Sequence, residues 1–413
     1  MSKPSTTPTA ASSSFAAMKS VPYRAQFAAY VLAMMADNVE HVISYWVVFQ
    51  KFHSPALAGF AVLSHWLPFL FFSVAVGGLA DRYDPRRIIQ CGMLLFMVAS
   101  AGWGIFFITD TLQMWHAMLL LVIHGCAGVL WQTPNQLLLY DIVGPADLPS
   151  AVRLNAMARY LGILVGPAMG GVIMLALGPS HGIILNTLFY LPMLLWLFWA
   201  PVRDKSLALK RFAVRGLADI LQTIRDIATH RVLTSMTLLA GLTSFMIGNA
   251  YHAQMPGFAG DLGHGDPGVS YSLLLAADAA GAVLAAIALE AWGRLRPSPR
   301  TAITLAILWA LCLLAFASTS IFPLASALLF AAGFFELSFN TMAQALVQIN
   351  APADSRGRVV GLFNMAGLGM RAFSGITVGL AGAAIGIHWS LGLSAAMLLV
   401  FLTALYNRAA KPG

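Results

Sequence analysis

Long apolar stretches separated by short polar ones run along nearly the whole chain of 413 residues. A helix of about 20 mostly apolar residues can cross a hydrocarbon core of about 30 Å. The pattern predicts twelve such helices, numbered in chain order: 26–50, 55–79, 87–108, 114–139, 155–177, 182–200, 232–255, 269–292, 301–319, 322–349, 359–384 and 388–406. The predicted fold class is an all-α integral membrane protein with twelve transmembrane helices.

The composition agrees with a membrane protein and argues against an enzyme. Hydrophobic residues make up 59% of the chain and charged residues only 10%, and the mean hydropathy is +0.77. A water-soluble domain does not need so large an apolar fraction to fill its core. The sequence contains no nucleophile-elbow, metalloprotease or nucleotide-binding motif. We therefore expect neither an enzyme nor a bound cofactor.

Basic residues indicate how the chain is oriented in the membrane. Lys and Arg are retained on the cytoplasmic side during insertion. With a cytoplasmic N-terminus, both ends and the even-numbered connections carry nearly all the basic residues, whereas Lys51 falls outside and Arg371 falls within a helix. The isoelectric point near 9.6 thus reflects topology, and no nucleic-acid partner is expected.

The longest polar connection, residues 201–231, separates six predicted helices from six. In it, apolar residues recur at helical intervals between charges, which predicts an amphipathic helix at the membrane surface; a solvated linker helix is the alternative. The predicted domains are a disordered cytoplasmic tail (1–22), an N-terminal bundle (23–200), the linker (201–231), a C-terminal bundle (232–407) and a cytoplasmic tail (408–413).

The two halves also resemble each other in sequence. The segment from Leu130 to Gly171 can be laid on the segment from Phe335 to Leu380 with small gaps, so that Asn135 meets Asn340. Helices 4 and 5 then correspond to helices 10 and 11. The match predicts two pseudo-symmetric six-helix bundles that arose by internal duplication.

Two motifs carry a family resemblance. "GGLADRYDPRR" joins helices 2 and 3, and "GILVGPAMGG" lies in helix 5. With twelve helices in two halves, they resemble the cytoplasmic-loop motif and the helix 5 motif of the major facilitator superfamily. The resemblance implies that helices 1, 4, 7 and 10 line a central cavity, helices 2, 5, 8 and 11 flank it, and helices 3, 6, 9 and 12 face lipid.

Within that superfamily the chain is most similar to bacterial siderophore and macrolide efflux proteins. This similarity implies a monomer in the inner membrane whose partners are a small-molecule substrate, protons and membrane lipid. Superfamily members with the helix 5 motif are mostly antiporters, so the resemblance favours export.

The loop motif predicts a latch on the cytoplasmic side. Gly77 allows close approach of helix 2 to a neighbour, and Asp81 offers an anion to the positive N-terminus of another helix. In the family that neighbour is helix 11. Positive-inside anchoring explains the arginines equally well, but it does not explain Asp81. The candidate latch residues are Gly77, Asp81, Arg82, Arg86, Arg356 and Arg358.

The helix 5 motif predicts a smooth ridge. Gly162, Gly166 and Gly170 recur at every fourth residue, and Pro167 can bend the helix. We interpret the ridge as a gating element, although a plain packing ridge is compatible with the same pattern.

Helix 1 carries several ionisable residues near its middle. Each such group costs about 2.5 to 3.5 kcal/mol on insertion scales, so it persists mainly where it faces water, a partner or a substrate. Asp37, Glu40, His41 and Ser44 share one helical face, which should look into the central cavity. This cluster could exchange a proton at physiological pH; a static polar network is the alternative.

The second half carries charges as well. Glu336 and Arg371 lie near the centres of helices 10 and 11, and a buried ion pair is the simplest way to tolerate both. Asp278 lies among small residues of helix 8. The candidates for the cavity wall, for which helix–helix hydrogen bonding is the alternative, are Tyr45, His124, Trp131, Gln132, Asn135, Asn249, Tyr251, Asn340 and Asn364.

These features predict a proton-coupled exporter, an antiporter that moves a small amphiphilic molecule such as a drug, siderophore or metabolite by alternating access. Four central carboxylates favour a cationic or zwitterionic substrate, whereas an anion would rely on Arg371. A divalent-metal carrier using Asp37, Glu40 and His41 is one alternative. Three neighbours on one helical face rarely close a coordination sphere, so no metal site is predicted. A lipid transporter on the same fold is the other alternative.

Overall fold

The structure is a computed structural model that describes residues 15–53, 55–201, 217–248, 250–263, 267–292 and 297–410. Nearly all of these residues lie in helices, and none of them forms a β-strand. The predicted fold class is thereby confirmed.

Six helices form the first half. Helix 1 spans Val21–Phe52, helix 2 Pro55–Arg82 and helix 3 Pro85–Ile108. The helical stretch Met114–Phe189 turns sharply at Gly144 and Gly178, where φ is +72° and +74°. It therefore comprises helix 4 (114–143), helix 5 (145–177) and helix 6 (179–189), which a short helix, Leu191–Trp196, continues.

The connection predicted between helices 4 and 5 is itself helical, so the expected bounds 139 and 155 were wrong. Gly144 takes a left-handed conformation that residues with a side chain rarely adopt. Pro145 follows it and suits the first turn of a helix. Gly144 alone thus reverses the direction of the chain between helices 4 and 5.

A helix at Leu217–Ala228, within the linker, precedes the second half. Helix 7 runs over Arg231–Met246 and, after a break, Ala250–Asp261. The bounds of the next helices are Pro267–Trp292 for helix 8, Pro299–Ser318 for helix 9 and Phe322–Asn350 for helix 10. Helix 12 spans Ile387–Ala410.

Helix 11 is less regular. It runs from Arg356–Asn364 into a π-helical turn at Met365–Gly369, continues as Arg371–Ser374, and widens again at Gly375–Leu380 before Ala381–Ile385. Such wide turns are rare and are frequent at functional sites. Arg371 lies between the two.

Ten helical stretches of the described residues are long and apolar enough to cross a membrane. They cover helices 2 to 12, and two of them extend through the continuous stretch of helices 4 to 6. Helix 1 falls short of this standard because Asp37, Asn38, Glu40 and His41 lower its hydropathy. Helix 1 is therefore the membrane helix with the most polar side chains near its middle.

The chain ends differ in part from the expected tails. Residues 16–19 form a 3₁₀ turn, and the amide of Ala17 donates to Ser150 Oγ at 3.1 Å. Helix 1 begins at Val21 and helix 12 continues to Ala410, so helices reach into both predicted tails. The rest of the expected tails, 1–14 and 411–413, and residues 202–216 of the linker lie outside the described residues.

Candidate functional site

The first cluster of ionisable side chains joins helix 1 to helix 4. His124 of helix 4 lies between two acids of helix 1: its Nε2 is 3.0 Å from Asp37 Oδ1 and its Nδ1 is 2.9 Å from Glu40 Oε1. The His124 and Glu40 side chains are only 4% and 2% exposed, whereas that of Asp37 is 16% exposed. Asp37 is therefore the most exposed member of this Asp37–His124–Glu40 triad.

Glu40 is held from its other side by the bundle core. Ser100 of helix 3 donates to Glu40 Oε2, and Asn186 of helix 6 donates to Ser100 Oγ at 3.3 Å. Ser44 is buried as well and donates to the carbonyl of Glu40. The expectation that this helical face looks into the central cavity was therefore wrong: none of its four residues lines the cleft described below, and Glu40, His41 and Ser44 instead line a smaller pocket with an empty volume of about 230 Å³.

The geometry of the triad implies a shared proton. A neutral imidazole has one N–H and one lone pair. If both carboxyl groups were ionised, that lone pair would face a carboxylate oxygen across one of the two short contacts of His124. Both contacts are attractive only when the triad holds a second proton, either on the imidazole or on a carboxyl group. Removal of that proton weakens a link between helices 1 and 4.

Two more histidines lie beside the triad. His41 Nδ1 is 2.7 Å from the carbonyl of Asp37, and the His41 ring lies 4.7 Å from that of His124 and 5.1 Å from that of His65 in helix 2. One ring nitrogen from each histidine lies within 4.8 Å of the others. Because both nitrogens of His124 already face carboxylates, the arrangement favours proton binding over metal binding.

The second cluster lies in the other half, on helices 7, 8 and 10. Tyr251 Oη is 3.4 Å from Asp278 Oδ1 and 3.3 Å from Glu336 Oε2. His252 Nε2 is 3.1 Å from Asp278 Oδ2. Asp278, Glu336 and Tyr251 are at most 5% exposed, whereas the His252 side chain is 29% exposed. A tyrosine hydroxyl thus takes the central position that His124 has in the first half.

The predicted ion pair between Glu336 and Arg371 is not formed. Among the described residues, no salt bridge within 4.0 Å joins the two. Glu336 instead meets Tyr251, and the guanidinium of Arg371 lies over the ring of Trp66 in helix 2, 5.1 Å from its centroid. Adjacent helices do not guarantee that two mid-helix charges point toward each other.

A central cleft lies between the halves. Its empty volume, including the part open to solvent, is about 760 Å³. Two arginines line it, Arg159 from helix 5 and Arg371 from helix 11, and among the described lining residues there is no acidic side chain. The lining side chains with amide groups are Gln132, Asn135, Gln136, Asn155, Asn340, Gln344 and Asn364.

The predicted cavity residues have different fates. Gln132, Asn135, Asn340 and Asn364 line the cleft. The other described candidates do not: His124 belongs to the triad and Tyr251 to the second cluster. The Tyr45 ring lies 5.2 Å from that of His41, and Trp131 is buried against Tyr30 and Phe96. Asn249 lies outside the described residues.

The latch contact predicted for Asp81 is present. Its carboxylate accepts hydrogen bonds from the backbone amides of Gly357 and Arg358, at the start of helix 11, at 2.5 and 3.0 Å. Gly77 and Gly357 meet backbone to backbone, and a Cβ on either would collide with the carbonyl of the other. Close approach and an anion at a helix N-terminus thus act together.

The arginines near the latch have separate partners. Arg86 pairs with Asp84 at 2.7 Å and donates to the carbonyl of Ala200. The guanidinium of Arg356 lies over the Tyr140 ring, 3.8 Å from its centroid. Arg358 is 3.9 Å from Asp219 of the linker helix. Arg82 ends helix 2. We call this end of the molecule, marked by Arg82, Arg86, Arg356 and Arg358, the arginine-rich end.

Asp84 also caps helix 3, and its carboxylate accepts from the amide of Arg86 at 2.9 Å. Burial works against ionisation of this carboxyl group, but the hydrogen bonds from the side chain and backbone of Arg86 outweigh burial and lower the pKa of Asp84.

A second contact closes the same end. Glu290 of helix 8 is 1% exposed; it accepts from Ser150 and pairs with Arg153 of helix 5 at 2.7 Å. Deeper in the molecule, Gln136 of helix 4 donates to Asn364 of helix 11 at 2.9 Å, and Asn364 donates to Thr133 at 3.0 Å. The two halves are therefore joined at the arginine-rich end and at the wall of the cleft.

The glycine ridge of helix 5 packs on helix 1. A Cβ at Gly166 would collide with Asn38 Cβ, and a Cβ at Gly162 or Gly170 would press on Met34 or Val42. The ridge therefore holds the face of helix 1 opposite the triad. The side chain of Pro167 lies outside the described side chains.

Sequence reasoning missed four functional candidates: His65, Arg159, His252 and Glu290. Arg159 lies a full turn inside the predicted helix 5, and this position alone could have marked it. Glu290 lies near the end of helix 8 as Asp81 lies near the end of helix 2, so comparison of the halves could have found it. The two histidines carried no signal beyond their presence in apolar helices.

The fold and the site define a class of protein: a multi-pass membrane transporter with a polar cleft between two six-helix halves. Residues 26–375 match the model of the Major Facilitator Superfamily. The chain belongs to that family, whose members carry small molecules across membranes. Among curated protein sequences, no significant match is found.

Solved structures share the fold. The human organic anion transporter MFSD10 (TETRAN) is 16% identical, with a TM-score of 0.74 over 93% of this chain and 98% of its own. A variant of the E. coli fucose:proton symporter FucP is 11% identical, with a TM-score of 0.72 over 95% and 99%. FucP in an outward conformation is 13% identical, with a TM-score of 0.75 over the same shares.

Proposed function

We propose that the protein is a proton-coupled secondary active transporter, an antiporter that exports a small organic molecule by alternating access. The observation that carries the proposal is the position of His124 between Asp37 and Glu40. Three groups that share a proton in the membrane interior, of which Asp37 is the most exposed at 16%, form a site that can load and release it.

A chain of ring contacts connects the triad to the cleft. Arg371 lines the cleft and lies over Trp66; the Trp66 ring is 4.5 Å from that of His65, and the His65 ring is 5.7 Å from that of His124. A substrate that moves Arg371 therefore disturbs the surroundings of the triad. A proton on the triad can in turn change affinity in the cleft, because coupling between two sites is reciprocal.

The contacts between the halves support alternating access. The Asp81 latch and the Glu290–Arg153 pair hold the arginine-rich end together. We assign this end to the cytoplasmic side, since basic residues concentrate there. The structure then corresponds to a state closed to the cytoplasm, and transport requires both contacts to open.

The relatives support a carrier of small organic solutes. One is named an organic anion transporter and another a fucose:proton symporter. Export, rather than uptake, rests on the resemblance of the helix 5 glycine motif to that of antiporters. The resemblance to siderophore and macrolide exporters supports the bacterial inner membrane, and we take the monomer as the transporting unit.

Transport into proteoliposomes tests the proposal with a pool of solutes in place of a single chosen substrate. Vesicles with an imposed pH gradient are incubated with a mixture of small organic solutes, and the trapped solutes are identified by mass spectrometry. We expect the gradient to drive accumulation by the wild type. Asp37→Asn and Glu40→Gln should abolish gradient-driven accumulation and retain solute-for-solute exchange, which needs no proton.

Asp261→Asn is the matched control. Asp261 also faces a histidine, His388, at 3.3 Å, but its side chain is 59% exposed and lies outside the triad. This variant should transport as the wild type does. Gradient-driven accumulation that survives in both triad variants would contradict proton coupling. Saturable uptake of a divalent metal ion, or lipid movement indifferent to pH, would instead favour one of the alternative cargoes.

A further inference from the structure

The cleft and the acidic clusters differ in charge. Asp37 and Glu40 face His124, and Asp278 and Glu336 face Tyr251, so the four central carboxyl groups are directed into the two bundles. Among the described residues that line the cleft, the charged side chains are Arg159 and Arg371 alone. The wall of the cleft is therefore positive.

Neither cleft arginine has an acidic partner among the residues that the structure describes. No carboxylate lies within 4.0 Å of either guanidinium in the described part of the chain, and Nε of Arg371 is buried without a hydrogen-bond acceptor. The arginines toward the arginine-rich end contrast with them, since Arg86 and Arg153 pair with acids at 2.7 Å. A poorly hydrated guanidinium without an anion is costly, so a cleft with two of them is incomplete.

The placement of the two arginines suits one anion. Arg159 belongs to helix 5 and Arg371 to helix 11, which are equivalent helices of the two halves. A guanidinium matches a carboxylate through two parallel hydrogen bonds. One carboxylate held between them would join the halves across the cleft. The surrounding amide groups supply both donors and acceptors for hydroxyl groups on the same molecule.

We propose that the substrate is a small organic anion whose carboxylate binds between Arg159 and Arg371 and whose hydroxyl groups bind the amides of the cleft. This inference rests on the proposed function and names the substrate class of the same cleft. It reverses the expectation of a cationic substrate, which counted the central carboxylates without their partners.

Three matched probes test the charge preference: 4-hydroxybenzoate, 4-hydroxybenzamide and 4-hydroxybenzylamine, which share a ring and a hydroxyl group and differ in charge. Thermal unfolding of the purified full chain in detergent is followed with each at millimolar concentration. We expect the carboxylate to raise the unfolding temperature and the amide and amine to leave it unchanged. Stabilisation by the amine or the amide, or none by the carboxylate, overturns the proposal.

Substitution locates the site. Arg159→Gln and Arg371→Gln should each weaken 4-hydroxybenzoate binding roughly ten- to hundredfold, the equivalent of one charge-assisted hydrogen-bonded contact. Arg371→Lys should keep the preference for the carboxylate with reduced affinity, since it keeps the charge but not the planar fork. Arg408→Gln, at the end of helix 12, is the control and should bind as the wild type does. If Arg159→Gln and Arg371→Gln both bind 4-hydroxybenzoate as tightly as the wild type does, the anion binds elsewhere and the assignment is overturned.

Tryptophan fluorescence gives an independent readout. An anion that engages Arg371 should change the contact of this side chain with Trp66, so 4-hydroxybenzoate should change the emission of the wild type. Trp66→Phe should lose that change while it keeps the thermal shift. The same emission change in both proteins would show that Arg371 does not move away from Trp66 and would contradict its role as ligand.

The failure of this inference can be told from failure of the proposed function. In Asp37→Asn the carboxylate probe should still bind, whereas the pH gradient should no longer drive its transport. Anion binding with transport that ignores the gradient would refute proton coupling alone. Gradient-driven transport of the amine would refute the anion class alone.

Discussion

The two halves of the molecule each bury a pair of acids, but they complete the pair differently. In the first half an imidazole joins Asp37 to Glu40 across contacts of 3.0 and 2.9 Å. In the second half a phenol lies between Asp278 and Glu336 across longer contacts of 3.4 and 3.3 Å. The two halves thus both bury a pair of acids, but they carry the acids on different helices and differ in the group that shares their protons.

This difference separates the two clusters chemically. An unperturbed imidazole changes its charge between pH 5 and 8, whereas a phenol keeps its hydrogen to about pH 10. The hydroxyl of Tyr251 has one hydrogen and can donate it to only one of its two carboxyl neighbours. The first cluster is therefore suited to exchange protons during transport, and the second to hold helices 7, 8 and 10 together.

The largest expected effect is the loss of the central imidazole. His124→Leu leaves two buried acids without their shared partner and should destabilise the protein by about 3 to 5 kcal/mol. Thermal unfolding in detergent measures the loss.

The double variant His124→Leu, Glu40→Gln provides the control. It removes one of the two uncompensated charges and should recover a large part of the stability. If the double variant is less stable than the single one, the instability of His124→Leu does not come from two unpartnered acids. The proposed difference between the two clusters would then be wrong.

A matched pair of neutral substitutions compares the clusters directly. Glu40→Gln should abolish gradient-driven transport because the triad can no longer exchange its proton. Glu336→Gln should retain most of it because Tyr251 can still donate to the amide oxygen. Solute accumulation in proteoliposomes at equal protein density measures both; loss in Glu336→Gln with retention in Glu40→Gln would exchange the two roles.

Removal of the central phenol should have a smaller effect than removal of the imidazole. Tyr251→Phe leaves Glu336 without its hydrogen-bond partner and should cost about 1 to 3 kcal/mol of stability. Unfolding temperature is the measurement, and Tyr251→Phe with Glu336→Gln is the paired control. A loss as large as that of His124→Leu would mean that the two clusters contribute equally to the fold.

The smallest effect is expected from the outer support of the triad. Asn186 donates to Ser100 and to the carbonyl of Ala36, and Asn186→Ala should cost about 1 kcal/mol. It should also shift the pH dependence of transport, since Ser100 would be freer to move away from Glu40. An unchanged pH profile would separate Ser100 and Asn186 from proton exchange.

Hydrophobic pattern was enough to predict the number of helices and their grouping in halves. It could not place Gly144, because a glycine that reverses two helices looks in sequence like part of a polar loop. The break in helix 7 at Gly248, where φ is +49°, and the wide turns of helix 11 also leave the apolar pattern intact. Periodicity reports which residues face lipid and is insensitive to local changes of backbone geometry.

The candidate site was predictable in its residue types and less so in its contacts. Helical spacing identified Asp37 and Glu40, and the latch motif identified the partner of Asp81. Helical spacing does not report how far each helix is rotated in its bundle, so the partner of Glu336 was misassigned and the acids were placed in the cleft. Arg159 went unnoticed although, like Arg371, it lies within a predicted membrane helix.

The wide turns on either side of Arg371 give helix 11 an unusual freedom. Each one is a local slip of register, and a slip that migrates by one residue rotates the side chains it passes by about 100° around the axis, the angle between successive residues of an α-helix. The start of the helix can remain anchored meanwhile by Asp81, and Thr377, within the second wide turn, donates to the carbonyl of Met246 at 2.9 Å. The guanidinium can then turn around the helix axis, toward or away from the cleft, without any sliding of the helix along its length.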